Sequence, residues 1–432
     1  MHRDLYAELI QWKERERRKP LLLRGARQVG KSWVVRELGR QFDHFIELNF
    51  ETKKQYKEIF SMGLDVPAIL ERIRFFTGIP ILPGKTLLFF DEIQACEPAL
   101  ESLRYFKENM PELHVVAAGS LLDFALEKTG LPVGRLQFLY LHPLSFAEFL
   151  TATGRTDLRE YIALNNIDPI IHNKLLEEVK TYMWLGGMPE AVQTWIDTRN
   201  MNECLEVLDE ITLSYKQDIP KYTKQHQIEY VENLFDAIPQ QLGRKFVFKH
   251  IDAEIRSYIL KNALACLAKA GIIHIVYHAS AHGLPLGAEV NLRRYKVYSF
   301  DIGIVQRLLG FDPKKWLTTP MSLKHLGSIA EQFVAQEYIA YTAIKKPAEL
   351  FYWHREEKKS NAEVDFLFVK EANIIPVEVK SGSKGQLKSL QLFLQTHPKI
   401  PAGLKISEAP YHKDNSLITL PFYMLEAWIK KS

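Results

Sequence analysis

The sequence of 432 residues has only three cysteines, Cys96, Cys204 and Cys266, and they lie far apart. They form no metal-ligand pair and no disulfide framework, which leads us to expect a reducing compartment. No run approaches the roughly 18 uninterrupted apolar residues of a membrane helix. Met1 to Ile10 is charged and lacks the apolar centre of a signal peptide. The expectation is a cytoplasmic protein without a membrane partner. Charge of one sign is also lacking: 56 Lys and Arg against 52 Asp and Glu leave +4, so any basic face must be local. There is no internal repeat and no Gly/Ser-rich linker. The histidines show no H-E-x-x-H spacing, and no N-K-x-D segment suggests guanine reading. What is present is a globular composition, 47% hydrophobic and 25% charged, with a length fitting about three domains.

Up to Leu139, short apolar runs alternate with segments of helical spacing. Leu21–Leu23, Phe45–Phe50, Thr86–Phe90 and His114–Ala118 read as strands. Trp33–Phe42, Ala68–Phe76 and Leu100–Met110 read as helices. Such alternation predicts a parallel sheet with helices on both faces. After Leu139 the pattern turns mainly helical to about residue 225, and Phe146, Phe149 and Trp184 are read as core aromatics. Helices at Tyr230–Leu242 and Ala253–Lys269 precede strands at Ile272–His278 and Arg294–Phe300, the outline of a winged helix. From Leu326 a helix (Ile329–Tyr341) and strands at Leu350–Trp353, Val364–Val369 and Ile374–Val379 predict a separate mixed α/β domain. The expected domains are 1–150, 151–320 and 321–432.

Gly25-Ala26-Arg27-Gln28-Val29-Gly30-Lys31-Ser32 satisfies G-x-x-x-x-G-K-S/T between a strand and a helix. The glycines let consecutive N–H groups face one phosphate chain, and the helix start adds its positive end. Lys31 would bridge the β- and γ-phosphates of ATP, and Ser32 would ligate Mg²⁺. The strand Thr86–Phe90 ends in Asp91 and Glu92. Asp91 would hold Mg²⁺ through water and Glu92 would polarise the attacking water, the mark of a hydrolytic enzyme. Ser120, after the next strand, would sense the γ-phosphate or position the water, or would simply be a turn serine. Arg135 reads as an arginine finger, acting in cis or on a neighbouring subunit, or as a surface ion-pair residue. Arg27 would reach phosphate or make a structural salt bridge.

The run Lys19–Ser32 resembles the start of a prokaryotic AAA-type ATPase family whose ATPase is joined to a C-terminal domain of unknown function. Further matches are Phe89–Gln94, Ala118-Gly119-Ser120, Pro143–Phe149, Gly186–Glu190, Asp301-Ile302-Gly303 and Gly327–Val334. The resemblance covers nearly the whole chain. It implies an AAA-type core, a winged-helix-like middle region and a nuclease-like C-terminal domain, without a known substrate. AAA-type domains often form rings, so a homo-oligomer is expected.

The C-terminal carboxylates have the layout of a PD-(D/E)xK nuclease core, a restriction-endonuclease-like α/β fold. Glu363-Val364-Asp365 opens one predicted strand and Glu378-Val379-Lys380 ends the next. Residues i and i+2 share a strand face, so Glu378 and Lys380 point together and Asp365 can share a divalent cation with Glu378. Glu331, on the preceding helix, is a further candidate ligand. Such a metal would activate water, and Lys380 would orient the nucleophile or neutralise charge. Val364 stands where the strict pattern has proline. Lys358, Lys359, Lys384 and Lys388 flank the motif and could meet phosphates. Around Arg256–Lys269 and at Arg293 and Arg294, contact with DNA and plain protein contact are both open.

Two functions follow. In the first, an ATP-driven protein acts on nucleic acid, with double-stranded DNA as partner and a metal-dependent site that cuts or grips it. In the second, ATP state controls a regulatory switch toward a protein or DNA partner, and the nuclease fold is inert.

Overall fold

Leu21, Leu22 and Leu23 have no exposed surface. A strand covered on both faces reads as continuous apolar sequence, and this run is the centre of a parallel sheet. The computed structural model describes residues 1–129, 133–163, 167–311, 326–347, 349–355, 361–383 and 385–431. Among these residues the strands fall into two sheets. The first contains β1 (Leu21–Arg24), β2 (His44–Asn49), β3 (Thr86–Asp91), β4 (His114–Ala118) and β5 (Gln137–Tyr140) in the order β2-β3-β4-β1-β5. Every pairing is parallel. This is the sheet order of a P-loop AAA fold. Leu88, Phe90 and Ala117 of its strands pack with Ile69, Leu100 and Phe106 of the helices. Because the strands run the same way, Arg24, Asn49, Asp91 and Ala118 all end at one edge, where ligands bind in open α/β sheets.

The chain divides into two units: Met1–His142 with the short returns Lys269–Gly271 and Ile344–Pro347, and the remainder. The second unit carries helices and an eight-stranded mixed sheet. Its strands are β6 (Ile273–Ala279), β7 (Val290–Ser299), β8 (Phe351–His354), β9 (Glu363–Lys370), β10 (Asn373–Val379), β11 (Gly403–Ser407), β12 (His412–Lys413) and β13 (Leu417–Pro421). The order is β12-β13-β11-β10-β9-β8-β6-β7. The ribbon expected of a winged helix is present as the antiparallel pair β6–β7. It does not stand apart as a wing, because β6 also pairs with β8 and so joins the C-terminal strands in one sheet. The boundary expected at residues 320 and 321 lies outside the described residues.

Three of the motif segments interlock inside this unit. Leu144 N–H donates to Gly187 O at 2.7 Å, and Tyr182 Oη donates to Leu144 O at 2.5 Å. The Asp301 carboxylate accepts from Gly187 N at 2.7 Å, Gly303 N at 2.9 Å and Ile304 N at 3.1 Å. A Cβ on Gly187 would lie 2.1 Å from Leu144 O, so the close approach of these backbones requires glycine. Phe146 N donates to Glu337, whose carboxyl also takes Tyr182 and Tyr341. Burial pushes the Glu337 carboxyl up to about 8. Phe146, Phe149 and Trp184 are buried around this hub, as expected of core aromatics.

Candidate functional site

The phosphate loop leaves β1 at the common edge. Gly25 has φ of +146°, and a Cβ there would sit 2.1 Å from Leu141 O, the residue that follows β5. Gln28 and Gly30 take left-handed backbone, at φ of 61° and 95°, and the helix Lys31–Gly39 begins directly after. The loop thus folds back on itself with the helix N-terminus beneath it, an arrangement that favours anions. Lys31 lies inside this curl, 7% exposed. Its ammonium donates to Ala26 O at 2.6 Å and Gly25 O at 3.0 Å. Burial lowers its pKa to about 8, against the pull of Glu92 and Asp91.

Ser32 Oγ lies 3.1 and 3.0 Å from the two oxygens of Asp91. Asn49 stands opposite Asp91 in the β2–β3 register and donates from Nδ2 to Asp91 Oδ2 at 3.0 Å. Burial, then the neighbouring Glu92, pushes the Asp91 carboxyl up. This cluster of hard oxygen donors fits Mg²⁺: Ser32 and Asp91 would hold it, and when bound it would supply positive charge to a phosphate chain. Glu92 takes a left-handed backbone at φ of 48° and accepts from Gln94 Nε2 at 2.6 Å, so its carboxylate is held beside Asp91. Ser120 follows β4, whose Ala118 is level with Leu23 of β1, and so stands at the same edge.

Arg135 is placed elsewhere. It precedes β5, whose Gln137 is level with Leu21 at the start of β1. It therefore stands at the opposite edge of the sheet, with its guanidinium 2.9 Å from Glu108. It does not join its own phosphate loop, and its contact with Glu108 is an ion pair between two partly exposed side chains, the other role expected of it. The sequence reading missed Arg3. This buried residue, 4% exposed, donates to Val29 O and His142 O, both at 2.6 Å, and so props the phosphate loop from behind.

In the second unit, Phe366 of β9 is opposite Val377 of β10, which brings Asp365 and Glu378 together next along the pair. Asp365 Oδ2 accepts from Val379 N at 2.8 Å, and Lys380 Nζ lies 2.5 Å from Glu378 Oε1. Glu331, on the helix Leu326–Thr342, accepts from Tyr298 Oη at 2.7 Å. So Glu331, Asp365, Glu378 and Lys380 converge. Between them stands a residue that the sequence reading gave no role: Lys296 of β7, with no exposed surface. Its ammonium lies 2.6 Å from Glu363, 3.4 Å from Glu331 and 3.7 Å from Asp365. Burial opposes its charge, but Glu331, Tyr298, Asp365 and Glu363 outweigh that and hold its pKa well above the ordinary value. Burial, then the charge of Asp365, pushes Glu331 up to about 8 and Glu378 up to about 7. Among the described residues no three of His, Cys, Asp and Glu are arranged to hold a metal ion. Lys358, Lys359 and Lys384 lie outside the described residues. Arg256 and Arg293 are exposed, and β7, which carries Arg293, is an edge strand.

Residues 17–150 match the family model of an AAA domain. Residues 176–315 and 326–424 match two domains of unknown function, DUF8612 and DUF4143. No curated protein matches the chain. Among solved structures, the chain is similar to the Walker-type ATPase PABY2304 of Pyrococcus abyssi, at 17% identity and a TM-score of 0.46 over 71% of this chain and 95% of that one. It is also similar to the Hsp104–ADP complex of S. cerevisiae, at 13% identity and a TM-score of 0.29 over 61% and 37% of the two chains. For PCH-2 of C. elegans the values are 13%, 0.23, 49% and 61%. None of the described helices is long and apolar enough to cross a membrane.

Proposed function

We propose that this AAA-domain protein binds and hydrolyses Mg-ATP at the edge formed by Gly25–Ser32, Asp91, Glu92 and Ser120, and that its nucleotide state controls a grip on double-stranded DNA. The observation that carries the ATPase reading is Ser32 hydrogen-bonded to Asp91 beside a Glu92 held by Gln94. Lys31, now on the loop's own carbonyls, would exchange these for phosphate oxygens. Ala26, Arg27, Gln28 and Val29 would offer backbone N–H groups to the phosphates. Glu92 is the group that takes a proton from water as general base. Double-stranded DNA is proposed as partner on the nuclease-like order of Asp365, Glu378 and Lys380.

ATPase rate with and without double-stranded DNA, single-stranded DNA and RNA tests this reading. Stimulation by duplex DNA alone is expected, and a rate indifferent to all three would point to a protein partner instead. A second reading, metal-dependent cleavage, is favoured by the convergence of Asp365, Glu378 and Lys380. The metal it needs does not fit the residues as they stand, because the Lys296 ammonium lies among the carboxylates that would bind it. We therefore read the domain as gripping rather than cutting. Plasmid nicking in Mg²⁺ or Mn²⁺ by the native protein, lost in Asp365→Ala, would reverse that choice.

The lowered pKa of Lys31 gives a pH dependence. Bound phosphates would keep Lys31 protonated, whereas the free protein gives up that proton above about pH 8. ATP affinity should be flat below that pH and weaken by about tenfold per unit above it. Titrations with a fluorescent nucleotide from pH 7 to 9.5 measure this. A dissociation constant unchanged to pH 9.5 would remove the Lys31 ammonium from binding.

A further inference from the structure

The eight-stranded sheet brings side chains of two separate family matches to one buried point. Lys296 and Tyr298 come from the stretch matched at 176–315, and Glu331, Glu363, Asp365 and Glu378 from that matched at 326–424. On β7, Lys296 and Tyr298 are two residues apart and share a face, as Glu363 and Asp365 do on β9. The Lys296 ammonium reaches Glu363 and Asp365 across the intervening strands, with the Tyr352 ring of β8 5.4 Å away.

A buried ammonium is costly unless it is paired, and so is a buried carboxylate. Here each relieves the other. Lys296 meets three carboxylates at 2.6 to 3.7 Å, and Lys380 serves the fourth, Glu378. One oxygen is left over: Glu378 Oε2 is buried and has no hydrogen-bond partner, in a residue only 6% exposed. The set of oxygens therefore has more acceptor capacity than its two lysines use. Hard carboxylate oxygens of this kind bind Mg²⁺ or Mn²⁺ at about 2.0–2.2 Å. The Lys296 ammonium is 2.6 Å from Glu363 and 3.7 Å from Asp365, so the same space cannot hold both cations.

We propose that Lys296 is the resident cation of this centre, a covalently attached substitute whose ammonium keeps divalent metal out of the space among Glu331, Glu363 and Asp365. The proposal rests on the gripping rather than the cutting reading of the C-terminal domain, and it is independent of ATP turnover.

Mn²⁺ binding to the full chain, free of nucleotide and followed by electron paramagnetic resonance, tests it. The native protein should show no saturable site that depends on Asp365. Lys296→Met, which keeps the length of the stem and loses the charge, should gain one Mn²⁺ per chain, with affinity raised by about a hundredfold or more. Adding Asp365→Asn to that variant should abolish the gain. Lys296→Met leaves its carboxylates without a counter-charge, so its melting temperature is read with and without Mn²⁺. A rise on adding Mn²⁺ that the native protein does not show supports the proposal even if the variant is poorly folded in metal-free buffer. The proposal is overturned if Lys296→Met gains neither a site nor stabilisation by Mn²⁺. It is equally overturned if the native chain binds Mn²⁺ and Asp365→Asn alone abolishes that binding. ATPase activity enters neither arm, so failure here leaves the nucleotide reading standing, and a dead ATPase leaves this test intact.

Discussion

Glu92→Gln should bind ATP within about threefold of the native protein and lose about 10²- to 10⁴-fold in turnover, the usual contribution of a general base. The geometry supports so selective an effect. Glu92 is held by Gln94 at 2.6 Å, whereas the contacts of the phosphate loop run through Lys31, Ser32 and backbone. Glutamine keeps the shape but cannot accept a proton from water. Lys31→Ala is the counterpart. It empties a position that is enclosed by Gly25 O and Ala26 O and should abolish saturable nucleotide binding altogether. Labelled-ATP titration and steady-state phosphate release separate the two outcomes. Normal turnover by Glu92→Gln would take this residue out of the chemistry, whatever happens to Lys31→Ala.

The second large effect is on stability. Asp301→Ala removes the acceptor for three buried N–H groups, those of Gly187, Gly303 and Ile304. Each orphaned donor costs about 1–3 kcal/mol, so a loss of about 3–5 kcal/mol is expected in the unfolding of the second unit, measured by urea denaturation. Asp301→Asn keeps one oxygen and should fall between. The pH dependence has a definite sign. Burial raises the Asp301 carboxyl to about 6, although three N–H bonds act against it, while in the unfolded chain it titrates near its ordinary value. Between about pH 4 and 6 the folded state holds a proton that the unfolded chain has released. The contribution of this group therefore falls as pH rises through that window and is flat above it, and Asp301→Ala should lose this slope. A loss below about 1 kcal/mol would mean that the three donors find other acceptors.

Local pattern carried much of the fold. Thr86–Phe90 and His114–Ala118 are strands because both faces are covered, so their apolar runs are unbroken, and the expected helices are present with ends shifted by a few residues. The helix expected over Tyr230–Leu242 stops at Ala237 and continues as a tight turn, Ile238–Gln241, because Pro239 cannot serve as a helix-interior donor. The partners of a strand are not local information. Alternation around Arg294–Phe300 indicates a ribbon, but not that β6 pairs with β8 far along the chain. The same limit hid part of the chemistry. Gly25–Ser32 is contiguous and therefore visible, and Asp365 and Glu378 lie on consecutive strands with Lys380 just past the end of the second. Asn49 and Arg3 act through single side chains with no motif around them, and Gln94 ends the run Phe89–Gln94 without a role that its sequence assigns. Lys296 left one trace, a lysine flanked by Tyr295, Val297 and Tyr298 in the apolar C-terminal part of β7. Its meaning depends on Glu331, Glu363 and Asp365, carboxylates brought in from distant parts of the sequence.

The two stretches of unknown function share a single sheet, with β6 and β7 from one and β8 to β13 from the other. Neither is then a portable module. A fragment beginning at residue 326 would present β8 with an open flank, the invitation to edge-to-edge association that folded proteins suppress, and would carry its acidic pocket without the lysine that balances it. Changes at position 296 and at positions 331, 363 and 365 should thus be inherited together, as one electrostatic unit divided between two segments of chain.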